Sequence, residues 1–110
     1  MISDMYYTYI LECEDATLYT GVAKELANRM MTHSKKNKQS AKYTRTHTYR
    51  RVMCVWQSDN RSKAQKLEYR IKQLSRIQKL KLIDNNDLFI EYFPSLDNND
   101  YTRIEKSTVL

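Results

Sequence analysis

The 110-residue chain contains one glycine, Gly21, where average usage of ~7% would give about eight. Glycine is the default residue wherever a backbone must adopt φ > 0 or lie against another group. Gly21 directly follows Tyr19-Thr20, between a stretch of β-formers and a stretch of helical period. That position is therefore expected to need an unusual backbone conformation or a close backbone approach. The only proline, Pro94, lies far downstream.

The periodicity on either side defines the elements. Residues 5–13 are rich in tyrosine, threonine and isoleucine and read as a strand. Glu14-Asp15-Ala16-Thr17 is a turn, and residues 18–22 form a second strand, giving a hairpin. From Ala23 the spacing of Ala23, Leu26, Ala27 and Met30 predicts an amphipathic helix to about His33. Residues 34–40 form a basic polar loop, and Arg51 to Gln57 a third strand. Ser62-Lys63-Ala64-Gln65 and Ser75-Arg76-Ile77-Gln78 each match a capping box, so helices are expected over 62–74 and 75–83. In the first of these, Leu67, Ile71 and Leu74 form the buried stripe. The fold class is α/β (α+β): a small three-stranded, mainly antiparallel sheet flanked by helices. Residues 1–83 form the domain. Residues 84–110 form an acidic C-terminal extension, partly docked through Phe89, Ile90, Tyr92 and Phe93, with the last ten residues frayed.

Charge narrows the partner. Residues 1–23 carry four acids and no Lys or Arg, residues 24–81 carry 17 Lys/Arg against three acids, and residues 82–110 carry two against six. A central segment that basic repels itself unless it meets a polyanion, which points to nucleic acid. No apolar run approaches the ~20 residues of a membrane span. The first residues lack the basic and apolar regions of a secretory signal, so a cytoplasmic setting is expected. Cys13 and Cys54, with no CxxC, are expected as buried reduced thiols.

Five ordered blocks then carry a resemblance. Tyr7-Thr8-Tyr9-Ile10-Leu11 is followed by Leu18-Tyr19-Thr20-Gly21, by Asn28-Arg29 with His33, by Ala41-Lys42-Tyr43-Thr44-Arg45, and by Leu67-Glu68-Tyr69-Arg70-Ile71-Lys72-Gln73-Leu74-Ser75-Arg76. Together they resemble the GIY-YIG nuclease superfamily, most closely its small stand-alone members, which are similar to the nuclease domain of the UvrC repair protein. The sequence departs from the pattern at Tyr7, where the first motif has glycine, at Ala16, where the turn usually has glycine, and in its Lys/Asn-rich 34–40 loop.

The resemblance implies a metal-dependent endonuclease that hydrolyses phosphodiester bonds, on DNA in preference to RNA, in repair or recombination. It implies that Tyr9 and Tyr19 face the scissile phosphate and that Arg29 neutralises charge building there. Glu68 would hold a divalent metal, Mg²⁺ or Mn²⁺, and His33 would serve as proton carrier or hydrogen-bond donor. Tyr7 and Gly21 would be structural members of the motifs. Lys24, Lys35, Lys36, Lys38, Lys42, Tyr43 and Arg45 would bind nucleic acid. The identity of the general base stays open. Strand alternation puts Tyr7 and Tyr9 on one side and Thr8 and Ile10 on the other, while Arg29 and His33 share a helical face. The same residues allow plainer readings: Glu68 with Lys72 as a surface ion pair, Tyr9 and Tyr19 as core aromatics. A catalytically silent nucleic-acid-binding module is the alternative function, and a protein-interaction domain a third.

Overall fold

A computed structural model describes residues 5–25 and 49–104. Among these residues, β1 (Tyr6–Cys13), β2 (Leu18–Ala23) and β3 (Tyr49–Ser58) lead into α1 (Arg61–Lys72), α2 (Arg76–Asp84) and α3 (Leu88–Tyr92). A 3₁₀ turn (Asn98–Asp100) and β4 (Thr102–Ile104) complete the described path. Among the described residues the sheet has four strands, not the expected three, in the order β2-β1-β3-β4, with every pair antiparallel.

β1 sits between two neighbours and is buried on both faces from Thr8 to Leu11. One face packs under the helices: Ile10, Cys54 and Trp56 meet Leu67 and Ile71 of α1, Leu82 of α2, and Phe89, Phe93 and Tyr101. The other face gathers Tyr9, Leu11, Ala23, Val52 and Val55, with Tyr7, Tyr19 and Ile104 against them. Thr8 and Ile10 thus point toward the helices and Tyr7 and Tyr9 away, as alternation requires. Val52 and Val55, three residues apart, share a face because the β1–β3 register shifts between Ile10 and Leu11.

Local signals were overridden in two places. Ala23 does not open a helix; it pairs with Tyr7 as the last residue of β2 and is buried. Cross-strand burial outweighs its membership of a helical stripe. The rest of the 23–33 helix, from residue 26, lies outside the described residues. At α1 the cap is Asn60 rather than Ser62: its side chain accepts from Lys63 N at 2.8 Å. Asn is at least as good a cap as Ser, and the earlier start adds two residues, about half a turn, at the N-terminal end. The second capping box forms as expected, with Ser75 Oγ accepting from Gln78 N at 3.1 Å and Gln78 Oε1 from Ser75 N at 2.9 Å.

The segment after Asp84 is fastened at several points. Phe89 packs edge-on to Phe93 at 4.9 Å and against Tyr101 at 5.4 Å. Tyr101 Oη donates to Lys63 O at 2.8 Å, and Lys63 Nζ meets both Asp59 and Asp100 at 3.0 Å. Arg103 lies over the Trp56 ring and donates to Ile83 O at 2.8 Å. Thr102–Ile104, inside the stretch expected to fray, pairs with Val55 to Gln57 of β3. Ile90 stays exposed instead of docking.

Candidate functional site

The hairpin turn fixes the relative positions of the two tyrosine motifs. Ala16 closes the turn at φ 67°, with its N–H donating to Cys13 O at 2.8 Å. The departure from glycine noted in the sequence is thus a non-glycine residue in the left-handed region, which disfavours it by ~1–2 kcal/mol.

Beyond the turn, Tyr9 lies directly opposite Gly21. A Cβ on Gly21 would fall 2.5 Å from Tyr9 Oη, 2.6 Å from Tyr9 Cζ and 3.0 Å from Tyr19 Cε2. The phenol ring of Tyr9 therefore lies across the β2 backbone, and Gly21 is the only residue type that leaves room. Its φ is not positive, so of the two needs expected at this position the close approach is the one realised. The Tyr9 and Tyr19 rings are 6.4 Å apart and tilted by 46°. Tyr9 is wholly buried, whereas Tyr19 is half-buried. Of the two motif tyrosines, only Tyr19 reaches the surface.

An opposed pair of substitutions follows. Gly21→Val is expected to destabilise by about 1–3 kcal/mol, because a fully enclosed Tyr9 ring cannot swing aside. Ala16→Gly, which relieves the positive φ at some entropic cost, is expected to stabilise by ~0.5–1 kcal/mol. Equal denaturation midpoints for Gly21→Val and the parent would show that Tyr9 does not need the space.

Glu68 approaches from the other side of the sheet. Thr8 Oγ1 donates to Ala64 O at 3.0 Å, and Arg76 donates to Ala16 O at 2.7 Å. The first tether lays α1 against β1, with Glu68 one turn beyond Ala64, and the second fixes the start of α2 at the hairpin turn. The Glu68 carboxylate is one-quarter exposed and meets Lys72 Nζ at 3.3 Å. The tyrosine rings and Glu68 are thus separated by the sheet, and a ligand touching both must pass around the edge of β2, the outer strand. On the helix-facing side of β2, Thr20 Oγ1 is buried with no hydrogen-bond partner among the described residues. No group of three or more His, Cys, Asp or Glu that could hold a metal occurs among the described residues, around Glu68 or elsewhere.

Lys24 is exposed just past β2, and Tyr7 packs beside Tyr9 and Tyr19. Arg29, His33, Lys35, Lys36, Lys38, Lys42, Tyr43 and Arg45 lie outside the described residues. Cys13 and Cys54 are buried free thiols, and burial pushes the Cys13 thiol up. No described helix is long and apolar enough to cross a membrane. The sequence reading passed over a group of cations at the α1–α2 junction, Lys72, Arg76 and Lys79. Their spacing is i, i+4 and i+7, with Lys72 at the end of α1 and Arg76 and Lys79 in the first turn of α2.

The chain is similar to known proteins. The profile of the GIY-YIG catalytic domain matches residues 5–81. The chain is 48% identical over 82 residues to the UPF0213 protein SSP2268 of Staphylococcus saprophyticus, covering 73% of this chain and 95% of that one. It is 43% identical over 83 residues to the UPF0213 protein OB0043 of Oceanobacillus iheyensis, covering 76% and 94%. The solution NMR structure of the UPF0213 protein BH0048 from Bacillus halodurans is 32% identical, with a TM-score of 0.49 over 84% of this chain and 97% of that chain.

Proposed function

Because the chain belongs to the GIY-YIG catalytic domain family, we propose that it is a metal-dependent endonuclease that hydrolyses phosphodiester bonds of nucleic acid. In this reading DNA is preferred to RNA, the substrates are the nicked or branched structures of repair and recombination, and the setting is cytoplasmic. The observation that carries the reading is the Tyr9–Tyr19 pair packed across the sole glycine on an edge strand. A chain under pressure only to bind polyanions has no need of that packing.

Tyr19, the accessible member, would contact the scissile phosphate, and Tyr9 would fix its position from behind. Arg29 and His33 take the roles their motif positions imply: charge neutralisation and proton transfer or donation. Glu68 would hold Mg²⁺ or Mn²⁺. A lone carboxylate suits a hard cation that keeps most of its waters and shares the substrate's phosphate oxygens. When bound, such an ion supplies positive charge to the phosphoryl oxygens in the transition state.

The test is to incubate the purified protein with labelled single-stranded, duplex, nicked and branched DNA and RNA, in Mg²⁺, Mn²⁺ or chelator. Cleavage with either metal and none with chelator is expected. Binding without cleavage across the whole panel would leave the silent module. Binding itself is expected to weaken steeply with salt, because Lys24, Lys35, Lys36, Lys38, Lys42 and Arg45 act through phosphate contacts and counterion release. An association constant that stays flat from low to moderate salt would remove the electrostatic argument.

A further inference from the structure

Charge is unevenly matched at the α1–α2 junction. Lys72 ends α1, Arg76 and Lys79 share one face of the first turn of α2 at i and i+3, and Glu68 is the one acid that any of them meets in an ion pair among the described residues. Arg76 spends one donor on Ala16 O and keeps the rest of a guanidinium that has five. Asp15, the acid beside Ala16, accepts from Thr17 N at 3.2 Å and Thr17 Oγ1 at 2.6 Å. Lys79 is half-buried and forms no ion pair among the described residues. Burial, then the neighbouring charges of Arg76 and Lys72, pull its pKa below that of an ordinary lysine. Folding holds these three cations together against their own repulsion, which a bound anion would relieve.

We propose that Lys72, Arg76 and Lys79 form an anion site that takes a backbone phosphate of the nucleic acid flanking the bond that is cut. The site rests on the nuclease reading for its ligand but not for its geometry. Lys72 joins it to Glu68, and Arg76 joins it to the turn between the two tyrosine strands. A phosphate held here would align the sugar-phosphate chain along α1, toward the β2 edge around which Tyr19 and Glu68 can share a ligand. Arg76 also takes a positioning role, since the side chain that would meet the phosphate anchors the hairpin turn. Lys72 would exchange part of its contact with Glu68 for the phosphate, freeing that carboxylate as substrate arrives.

Lys79→Met tests the site, since it keeps most of the apolar stem and removes the charge. With chelator present, so that nothing is cut, the slope of log affinity against log salt should become shallower by about 0.7–0.9, the loss expected for one phosphate contact. Lys79→Arg should restore the parental slope. Inorganic pyrophosphate, titrated into the labelled parent protein, should shift the amide resonances of residues 72–79, and should do so far less in Lys79→Met. An unchanged slope in a folded Lys79→Met variant, or pyrophosphate shifts confined elsewhere, overturns the proposal. If pyrophosphate binds at the junction but the protein cuts no nucleic acid, the nuclease reading fails and the anion site stands. If the protein cuts and Lys79→Met keeps the parental slope, the anion site fails alone.

Discussion

Glu68→Gln is expected to fold normally and bind nucleic acid at least as tightly as the parent, while single-turnover cleavage falls by a factor of about 10²–10⁴. The two side chains have nearly the same shape, so what is lost is one negative charge. If Glu68 holds the metal, that charge supports several kcal/mol of transition-state stabilisation, and each ~1.4 kcal/mol is tenfold in rate. The 3.3 Å contact with Lys72 offers a competing account. As an i, i+4 surface pair, Glu68 would contribute only about 0.3–0.5 kcal/mol to stability and nothing to turnover. The measurement is cleavage of pre-bound substrate by parent and variant, with affinity followed in parallel. Cutting at the parental rate would leave Glu68 as half of an ion pair and remove the centre of the proposed site.

Phe89→Ala is expected to destabilise the protein by about 3–5 kcal/mol, the range for removing a buried aromatic. Phe89 is 1% exposed and packs against Trp56, Phe93 and Tyr101, so its loss opens a cavity between the sheet and the C-terminal segment. For a domain of this size the melting temperature should drop by more than ~10 °C. The whole transition should move together, because Trp56 belongs to β3 and Phe89 to α3. A melting temperature within a degree of the parent would mean that α3 packs on a core already complete without it.

How much of this was legible depended on whether local pattern and tertiary packing agreed. The β1–β2 hairpin, β3 and α1 follow from their residue patterns, because the residues that make each pattern are also the residues that are buried, whereas α2, with Leu82 its one buried residue, was legible from its capping box. Ala23 shows the opposite case. It fits a helical stripe, yet the burial offered by Tyr7 across the hairpin keeps it in β2. β4 was invisible for another reason: three residues with Thr102 exposed carry no strand signal of their own. They are a strand only because β3 offers a free edge and Tyr101 is anchored beside them. At the site, the sequence pointed to Gly21 and to the tyrosines, but which demand the glycine serves is a matter of where the Tyr9 ring lies. The cation group has a regular i, i+4, i+7 spacing in the sequence, but the capping box at Ser75 divides its members between two helices, so the spacing alone did not single them out.

The surroundings of Trp56 have a practical consequence. It is the sole tryptophan, 1% exposed, with its indole N–H donating to Asn86 Oδ1 at 2.8 Å, Arg103 over one face and Phe89 at 6.2 Å. The first partner precedes α3, the second follows the 3₁₀ turn and the third lies within α3. Indole emission excited selectively, away from the nine tyrosines, is therefore a built-in optical gauge of whether the C-terminal segment is seated. A blue-shifted band belongs to the seated state. A shift to the red while the far-ultraviolet dichroism of the hairpin and α1 persists would mark that segment's release as a separate, earlier event in unfolding.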